Sequence, residues 1–496
     1  MAHEDKSEKE EKTEDQKKEE LPEIEEKSVS KQFTGKFGGS KVAYTATAAT
    51  HVFEIKEAKA SFFYVAYTKD DADSSTRPVL FCFNGGPGSS TVWLHLGLFG
   101  PKRWQLDSQG FKTGMQGRLI DNEYSILDVA DVVCVDAIGT GFSRVEPEDK
   151  EKDFHHFKHD VEAFSKFIVH YLNRNGRWAS PKYLAGESYG TLRGAAIARE
   201  LFVEHGVEFN GIILISSILN YQTVGVNRET WMFHTGNDLP FALYLPTYTA
   251  TAWYHEQLPS KHQKKKLRDL LEEVEDFALG DYWSALAPGD RLDDKTRARV
   301  AAKLGEYTGL DSDYIDHYDL RIHIHMFCKE LLRKQRRTVG RIDSRYLGID
   351  RVSRGEKIEA DPSTDATWAV ATSALNHHLR TEIGFEADDI YEVMSMKVNE
   401  RWDYEDFKNR YVDTSENMRE VLSRSRGTRV FVANGYYDLA TPYFATEYTF
   451  SHMGLDPEVR KNVRMEDYEA GHMMYVHQPS LQALSGHIRE FIGETS

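Results

Sequence analysis

The sequence predicts an α/β fold: a mostly parallel central sheet with helices on both faces and a helical cap insertion. Three observations predict it. Short apolar runs alternate with amphipathic stretches through residue 221, as buried parallel strands and their crossover helices do. A second set of apolar runs follows residue 412. The stretch between them, 222–412, is long, charged and largely helical in pattern.

The elements follow in order. Residues 1–32 hold 12 acidic and 7 basic residues, with no Leu, Ile, Val or aromatic residue before Leu21. Such a segment buries too little apolar surface to offset its ordering entropy, so a disordered charged tail is expected. Residues 33–221 read as the first part of the core. Strands are expected over 33–68, ending in SFFYVAYT (61–68), then at VLFCFN (79–84) and DVVCVD (131–136). Phe154, Phe157, Val161, Phe164, Phe167, Ile168 and Leu172 recur at three- and four-residue spacing, which predicts an amphipathic helix over 154–172. KYLAG (182–186) is a strand, 190–205 a helix and GIILISS (211–217) a strand. In 222–412, SKHQKKKLRDLLEEVEDF, DKTRARVAAKL and TWAVATSALNHHLRTEIG read as helices of an insertion above the sheet. Residues 413–496 complete the core with strands at RVFVAN (429–434) and NVRMED (462–467).

Composition narrows the function classes. Of 496 residues, 40% are hydrophobic and 12% aromatic, enough for a sizeable core. The net charge of −17 lacks the basic footprint of phosphate binding, so no nucleic-acid partner is expected. No apolar run approaches the roughly 20 residues of a membrane span. No apolar stretch of signal-peptide type follows the first residues, which leaves the compartment open; a cytoplasmic protein is expected if that N-terminus is native. Three cysteines, Cys82, Cys134 and Cys328, allow one bridge at most.

GESYG (186–190) fits G-x-S-x-G between a predicted strand and a predicted helix, the setting of a nucleophile elbow. Ser188 would stand at the carboxyl end of the sheet, above the N–H groups of the helix. A serine hydroxyl needs a base. Asp438 lies in the turn after the strand at 429–434, and His472 in the turn after the strand at 462–467. Both turns fall at carboxyl strand ends, where open α/β sheets bind ligands. His472 would take the Ser188 proton, and Asp438 would hold the imidazole tautomer. The oxyanion donors expected are the N–H groups of Tyr189 and of Gly86, with Gly85 as the alternative, in FNGGPGSS (83–90). No G-K-[ST] follows that loop, which argues against a phosphate cradle.

Together FNGGPGSS, DAIGTGFS (136–143), GESYG, NGYYDLATP and EAGHMMY resemble the serine carboxypeptidase family, in its order and across nearly the whole folded chain. The resemblance implies an α/β-hydrolase fold and release of C-terminal residues from peptides, favoured at acidic pH. The family's substrates are peptides with a free C-terminus; neither cofactor nor metal is implied. It assigns Ser188, Asp438 and His472 as the triad, and Asn84 and Glu187 to the substrate's terminal carboxylate. Protonated, Glu187 could donate to that carboxylate beside the Asn84 amide. The chain departs from the family at Cys82, where Trp is usual, at Ser89, where Cys is usual, and in DAIGTGFS, which lacks a Pro. The disulfides of eukaryotic members cannot form, which points to a bacterial-type member, exported or periplasmic. Oligomeric state stays open between monomer and homodimer.

The same triad would serve an esterase or acyltransferase, and a hydrolase-fold binding protein is a third reading. His155 and His159 stand at i, i+4 without the glutamate of H-E-x-x-H, and are expected on a solvated helix face. His323, His325, His377 and His378 get the same reading. KHQKKK (261–266) is expected to be charged surface. FALYLPTYTATAWYH (241–255) would either line the substrate pocket or pack in a core.

Overall fold

The computed structural model describes residues 24–55, 57–111, 117–227, 232–233 and 236–495. Nine strands build the central sheet: β1 (Ser28–Phe37), β2 (Ser40–Ile55), β3 (Ala58–Lys69), β4 (Val79–Phe83), β5 (Asp131–Val135), β6 (Lys182–Glu187), β7 (Gly211–Ile215), β8 (Arg429–Gly435) and β9 (Val463–Tyr468). A short strand, Arg144–Glu146, pairs with β3 off this path. The order is β1-β2-β3-β5-β4-β6-β7-β8-β9. From β5 to β9 neighbours run parallel; β1, β2 and β3 pair antiparallel at one edge, with β3 antiparallel to β5.

The helices named below are α1 (Phe157–Arg174), α2 (Tyr189–His205), α3 (Leu239–Tyr254), α4 (Leu267–Phe277), α5 (Asp294–Thr308), α6 (Ile324–Glu330), α7 (Pro362–His377), α8 (Ser415–Arg424) and α9 (Gln478–Thr495).

Every residue of β4, β5 and β7 is buried, because both faces are covered. Period-two alternation divides their side chains. Phe81, Phe83, Val133 and Leu214 join α1, α2 and α8 in one core. Leu80, Cys82, Val132 and Ile213 join α7 and α9 in the other. A third core holds α3 to α6 together, away from the sheet. The apolar contacts within 222–412 therefore divide three ways. The stripe Val370, Ala371, Ala374 and Leu375 of α7 packs on one sheet face, and Val398, Trp402 and Phe407 belong to the opposite face.

Two expectations need correction. The charged tail was expected to run to residue 32, yet Ser28–Gln32 are paired with Thr45–Ala49 of β2; residues 1–23 lie outside the described residues. A strand edge supplies backbone partners that composition alone does not reveal. The histidines differ as well. His155, His323 and His378 are buried rather than solvated. The Nε2 of His155 lies 3.3 Å from Glu151, and His378 bonds Tyr67 and Glu382 at 2.7 and 2.6 Å. Among the described residues no group of acids, histidines and cysteines could hold a metal, and no helix is long and apolar enough to cross a membrane. Two lysines of 261–266 are matched by acids: Lys261 pairs with Glu306 at 2.8 Å, and Lys265 pairs with Glu273. The aromatic run 241–255 becomes α3, mostly buried in the third core; Tyr244 reaches the cavity described next. Cys82 and Cys134 sit opposite each other on β4 and β5 as free thiols, 3.4 Å apart.

Candidate active site

A cavity of about 450 Å³ opens at the carboxyl ends of β4, β6, β8 and β9. Asn84, Gly85, Gly86, Glu187, Ser188, Tyr189 and His472 all line it. Asp438 is fully buried.

Ser188 joins β6 to α2 at φ 59°, ψ −130°. A non-glycine residue held there stores about 1–3 kcal/mol, which the surrounding structure must impose. Its N–H bonds Ile215 O at 3.0 Å, and its carbonyl accepts from Thr191 N–H at 2.8 Å and the Thr191 hydroxyl at 2.7 Å. The turn is crowded: a Cβ on Gly186 would sit 2.2 Å from the Gly190 carbonyl oxygen. That close approach explains why the motif needs a glycine two residues before its serine.

The glycine loop after β4 is seated on the start of α2. A Cβ at Gly85 would lie 2.5 Å from the Tyr189 nitrogen, so only glycine lets the two backbones meet. Gly86 follows at φ +106°. Two buried groups brace this loop. Arg193 of α2 donates to the Asn84 carbonyl at 2.7 Å and to Asp160 of α1 at 2.6 Å. Asp136 accepts from Thr91 N–H at 2.8 Å and from the Tyr391 hydroxyl at 2.7 Å. The DAIGTGFS stretch thus props the loop; burial raises the Asp136 pKa to about 6.

His472 Nδ1 lies 2.6 Å from Asp438 Oδ2. With Nδ1–H donated to the carboxylate, Nε2 is left as an acceptor. Asp438 is itself fixed by Ala440 N–H at 2.7 Å, Thr441 N–H at 3.0 Å and the Thr441 hydroxyl at 2.7 Å. The His472 backbone is tied at both ends, its N–H to Ile342 O at 2.8 Å and its carbonyl to the Ser216 hydroxyl at 2.6 Å. Burial opposes a charged imidazole, but the Asp438 charge and hydrogen bond, with the Glu187 charge, outweigh it. The His472 pKa is therefore raised from its ordinary value.

Glu187 is buried beside the serine. Burial drives its pKa up to about 7, against the charge of His472 and hydrogen bonds from Tyr475 and Asn84, while the Asp438 charge adds to the rise. The Tyr475 hydroxyl donates to Glu187 Oε2 at 2.7 Å. Asn84 Oδ1 accepts from Leu94 N–H at 3.0 Å, which leaves its amide hydrogens for Glu187 and the cavity.

Six of the seven site residues expected from the sequence thus line the cavity, and the seventh, Asp438, is buried behind His472. Sequence reasoning missed Tyr475, Thr441, Arg193 and Arg341. Tyr475 and Thr441 sit three residues after His472 and Asp438, a spacing that marks a shared turn. Arg193 and Arg341 left no local signal.

Comparison with known proteins identifies the family. The family model described as serine carboxypeptidase matches residues 44–485. The pheromone-processing carboxypeptidase KEX1 of Saccharomyces cerevisiae is 31% identical over 114 residues, 22% of this chain and 14% of that protein. Serine carboxypeptidase-like 40 of Arabidopsis thaliana is 30% identical over 168 residues, 33% of this chain and 31% of that protein. The chain thus matches less than a third of either relative's length, and these yeast and plant relatives give the bacterial-type expectation no support. Among solved structures, a soluble variant of Saccharomyces cerevisiae monoglyceride lipase is similar at TM-score 0.38 and 11% identity, covering 90% of this chain and 95% of that one. Juvenile hormone epoxide hydrolase of the silkworm Bombyx mori is similar at TM-score 0.35 and 14% identity, covering 91% and 79%. With an α/β-hydrolase sheet, a strained serine at its elbow and a family match spanning most of its length, the chain belongs to the serine carboxypeptidase family.

Proposed function

We propose that this chain removes C-terminal residues from peptides through an acyl-enzyme on Ser188, most actively at acidic pH. The observation that carries the reading is the 2.6 Å His472–Asp438 contact, set behind a strained serine in a cavity that Asn84 and Glu187 also line. In this reading Ser188 Oγ attacks the scissile carbonyl carbon and its proton passes to His472 Nε2. The N–H groups of Tyr189 and Gly86 receive the oxyanion. The C–N bond then breaks as His472 returns the proton to the leaving amine, and water hydrolyses the acyl ester by the same route. Segment 222–412 caps the site.

Asn84 and Glu187 hold the substrate's terminal carboxylate. An ionised Glu187 would repel it; a protonated one donates to it. The productive enzyme needs one proton on the Glu187–His472 pair, on the carboxyl rather than the imidazole. Rising pH through about 7 strips that proton, and falling pH charges His472, so the profile is a bell whose limbs belong to the pair.

The test pairs a blocked dipeptide bearing a free C-terminal carboxylate with its C-terminal amide at pH 5. The free acid should be cleaved at least tenfold faster in kcat/KM. Equal rates would refute carboxylate recognition. A fluorophosphonate probe should label the wild type and leave Ser188→Ala unlabelled.

A further inference from the structure

One wall of the cavity carries a cation that no acid among the described residues engages. Arg341 lines the cavity, and among the described residues no hydrogen bond or ion pair reaches its guanidinium. Its backbone is held firmly. The N–H groups of Arg341 and Ile342 donate to Asp361 Oδ2 at 2.9 and 3.0 Å. The Arg341 carbonyl accepts from Leu439 N–H at 2.9 Å, and the Ile342 carbonyl from His472 N–H at 2.8 Å. The Arg341–Ile342 segment is therefore bonded directly to the two loops that carry Asp438 and His472, Arg341 to the first and Ile342 to the second. Asp361 is already occupied as the cap of α7: its other oxygen accepts from the Ser363 N–H at 2.9 Å and from the Ser363 hydroxyl.

The guanidinium's charge is felt by His472, His325 and Tyr244, which all line the cavity. Its charge pushes both imidazole pKa values down, against Asp438 and Glu187, which raise His472 on balance, and against Asp361 at His325. Apart from the histidines and tyrosines, Glu187 and Arg341 are the two ionisable side chains in the described lining. Glu187 is held by Tyr475 and Asn84, and its strongest charged neighbours are His472 and Asp438 rather than Arg341. The two groups thus serve different parts of a ligand. A half-buried guanidinium with five donors and no partner among the described residues is suited to a carboxylate.

We propose that Arg341 is a specificity determinant that takes the acidic side chain of a substrate residue beside the cleaved bond, so that peptides carrying Asp or Glu at one of their last two positions are preferred. This rests on the carboxypeptidase reading and names its substrate class.

The test measures kcat/KM at pH 6 for two pairs of blocked dipeptides, Glu against Gln at the terminal position and Glu against Gln at the penultimate one. The wild type should favour Glu by tenfold or more at one position. That ratio should collapse towards one in Arg341→Met and invert in Arg341→Glu. A wild-type ratio near one at both positions, or a ratio unchanged in Arg341→Met, overturns the proposal. So does a loss in Arg341→Met of the preference for free acid over amide, because Arg341 would then hold the main-chain carboxylate. Calorimetric titration of Ser188→Ala with the same peptides separates this from the parent reading. A Glu-over-Gln binding preference erased by adding Arg341→Met supports the subsite even where no peptide is cleaved, and its absence overturns the subsite alone. Failure of the wild type to release any terminal residue overturns the carboxypeptidase reading instead.

Discussion

Tyr475 shows how one hydroxyl can tune a reaction it does not join. Its bond to Glu187 stabilises the ionised carboxylate and so restrains the rise that burial imposes. Tyr475→Phe removes that restraint, and the Glu187 pKa moves further up. The alkaline limb of kcat/KM on free-acid peptides should shift to higher pH, while hydrolysis of a C-terminal amide keeps its own profile. Glu187→Gln should act on the alkaline limb alone. That limb through about 7 disappears, because an amide does not titrate, while the acid limb stays near the wild-type position, because Glu187 is already protonated and uncharged where His472 takes up its proton. Profiles of both variants that overlay the wild type would remove Glu187 from the pH dependence.

At the scale of elements, the elbow is held from below. Arg193 of α2 is fully buried, paired with Asp160 of α1 at 2.6 Å and stacked by the Phe164 ring at 4.7 Å. It also donates to the Asn84 carbonyl, so one side chain ties two helices to the glycine loop. Truncating one partner of a buried ion pair strands the other charge and costs about 3–5 kcal/mol. Arg193→Met should lower the urea midpoint accordingly, and the double variant Arg193→Met/Asp160→Asn should recover part of the loss. The elbow itself tolerates less. Gly186→Ala places a methyl 2.2 Å from a backbone oxygen, which no side-chain rearrangement relieves; a protein that folds and labels normally with a fluorophosphonate would contradict that crowding.

At the scale of the whole molecule, 222–412 is joined to the sheet through buried polar contacts as well as apolar ones. Tyr391 reaches Asp136 at the end of β5, and backbone pairs link Ser89 with Met394 and Gly141 with Glu392. The Asp136 pKa of about 6 is above that of an exposed aspartate, so the carboxyl is ionised above that pH and takes up a proton below it. A donor matters most to the ionised form. Tyr391→Phe should therefore destabilise by about 1–3 kcal/mol at pH 8 and by less at pH 5, read from denaturant midpoints at the two pH values.

The parallel strands and the G-x-S-x-G turn were legible because their signals are local: continuous apolar runs, amphipathic spacing, and glycines where backbones must touch. The order Ser188, Asp438, His472 could also be read, since each residue falls just after a strand that announces itself. By itself, then, the sequence determined the sheet, the elbow and the residues at its strand ends. Tertiary structure alone decided that Ser28–Gln32 extend an edge, that His155 and His378 are buried, that Tyr475 hydrogen-bonds Glu187, and that Arg341 faces the cavity with no acid bonded to it among the described residues. The physical reason is distance along the chain. Burial and pairing arise from contacts between residues tens to hundreds of positions apart, which composition and periodicity do not encode.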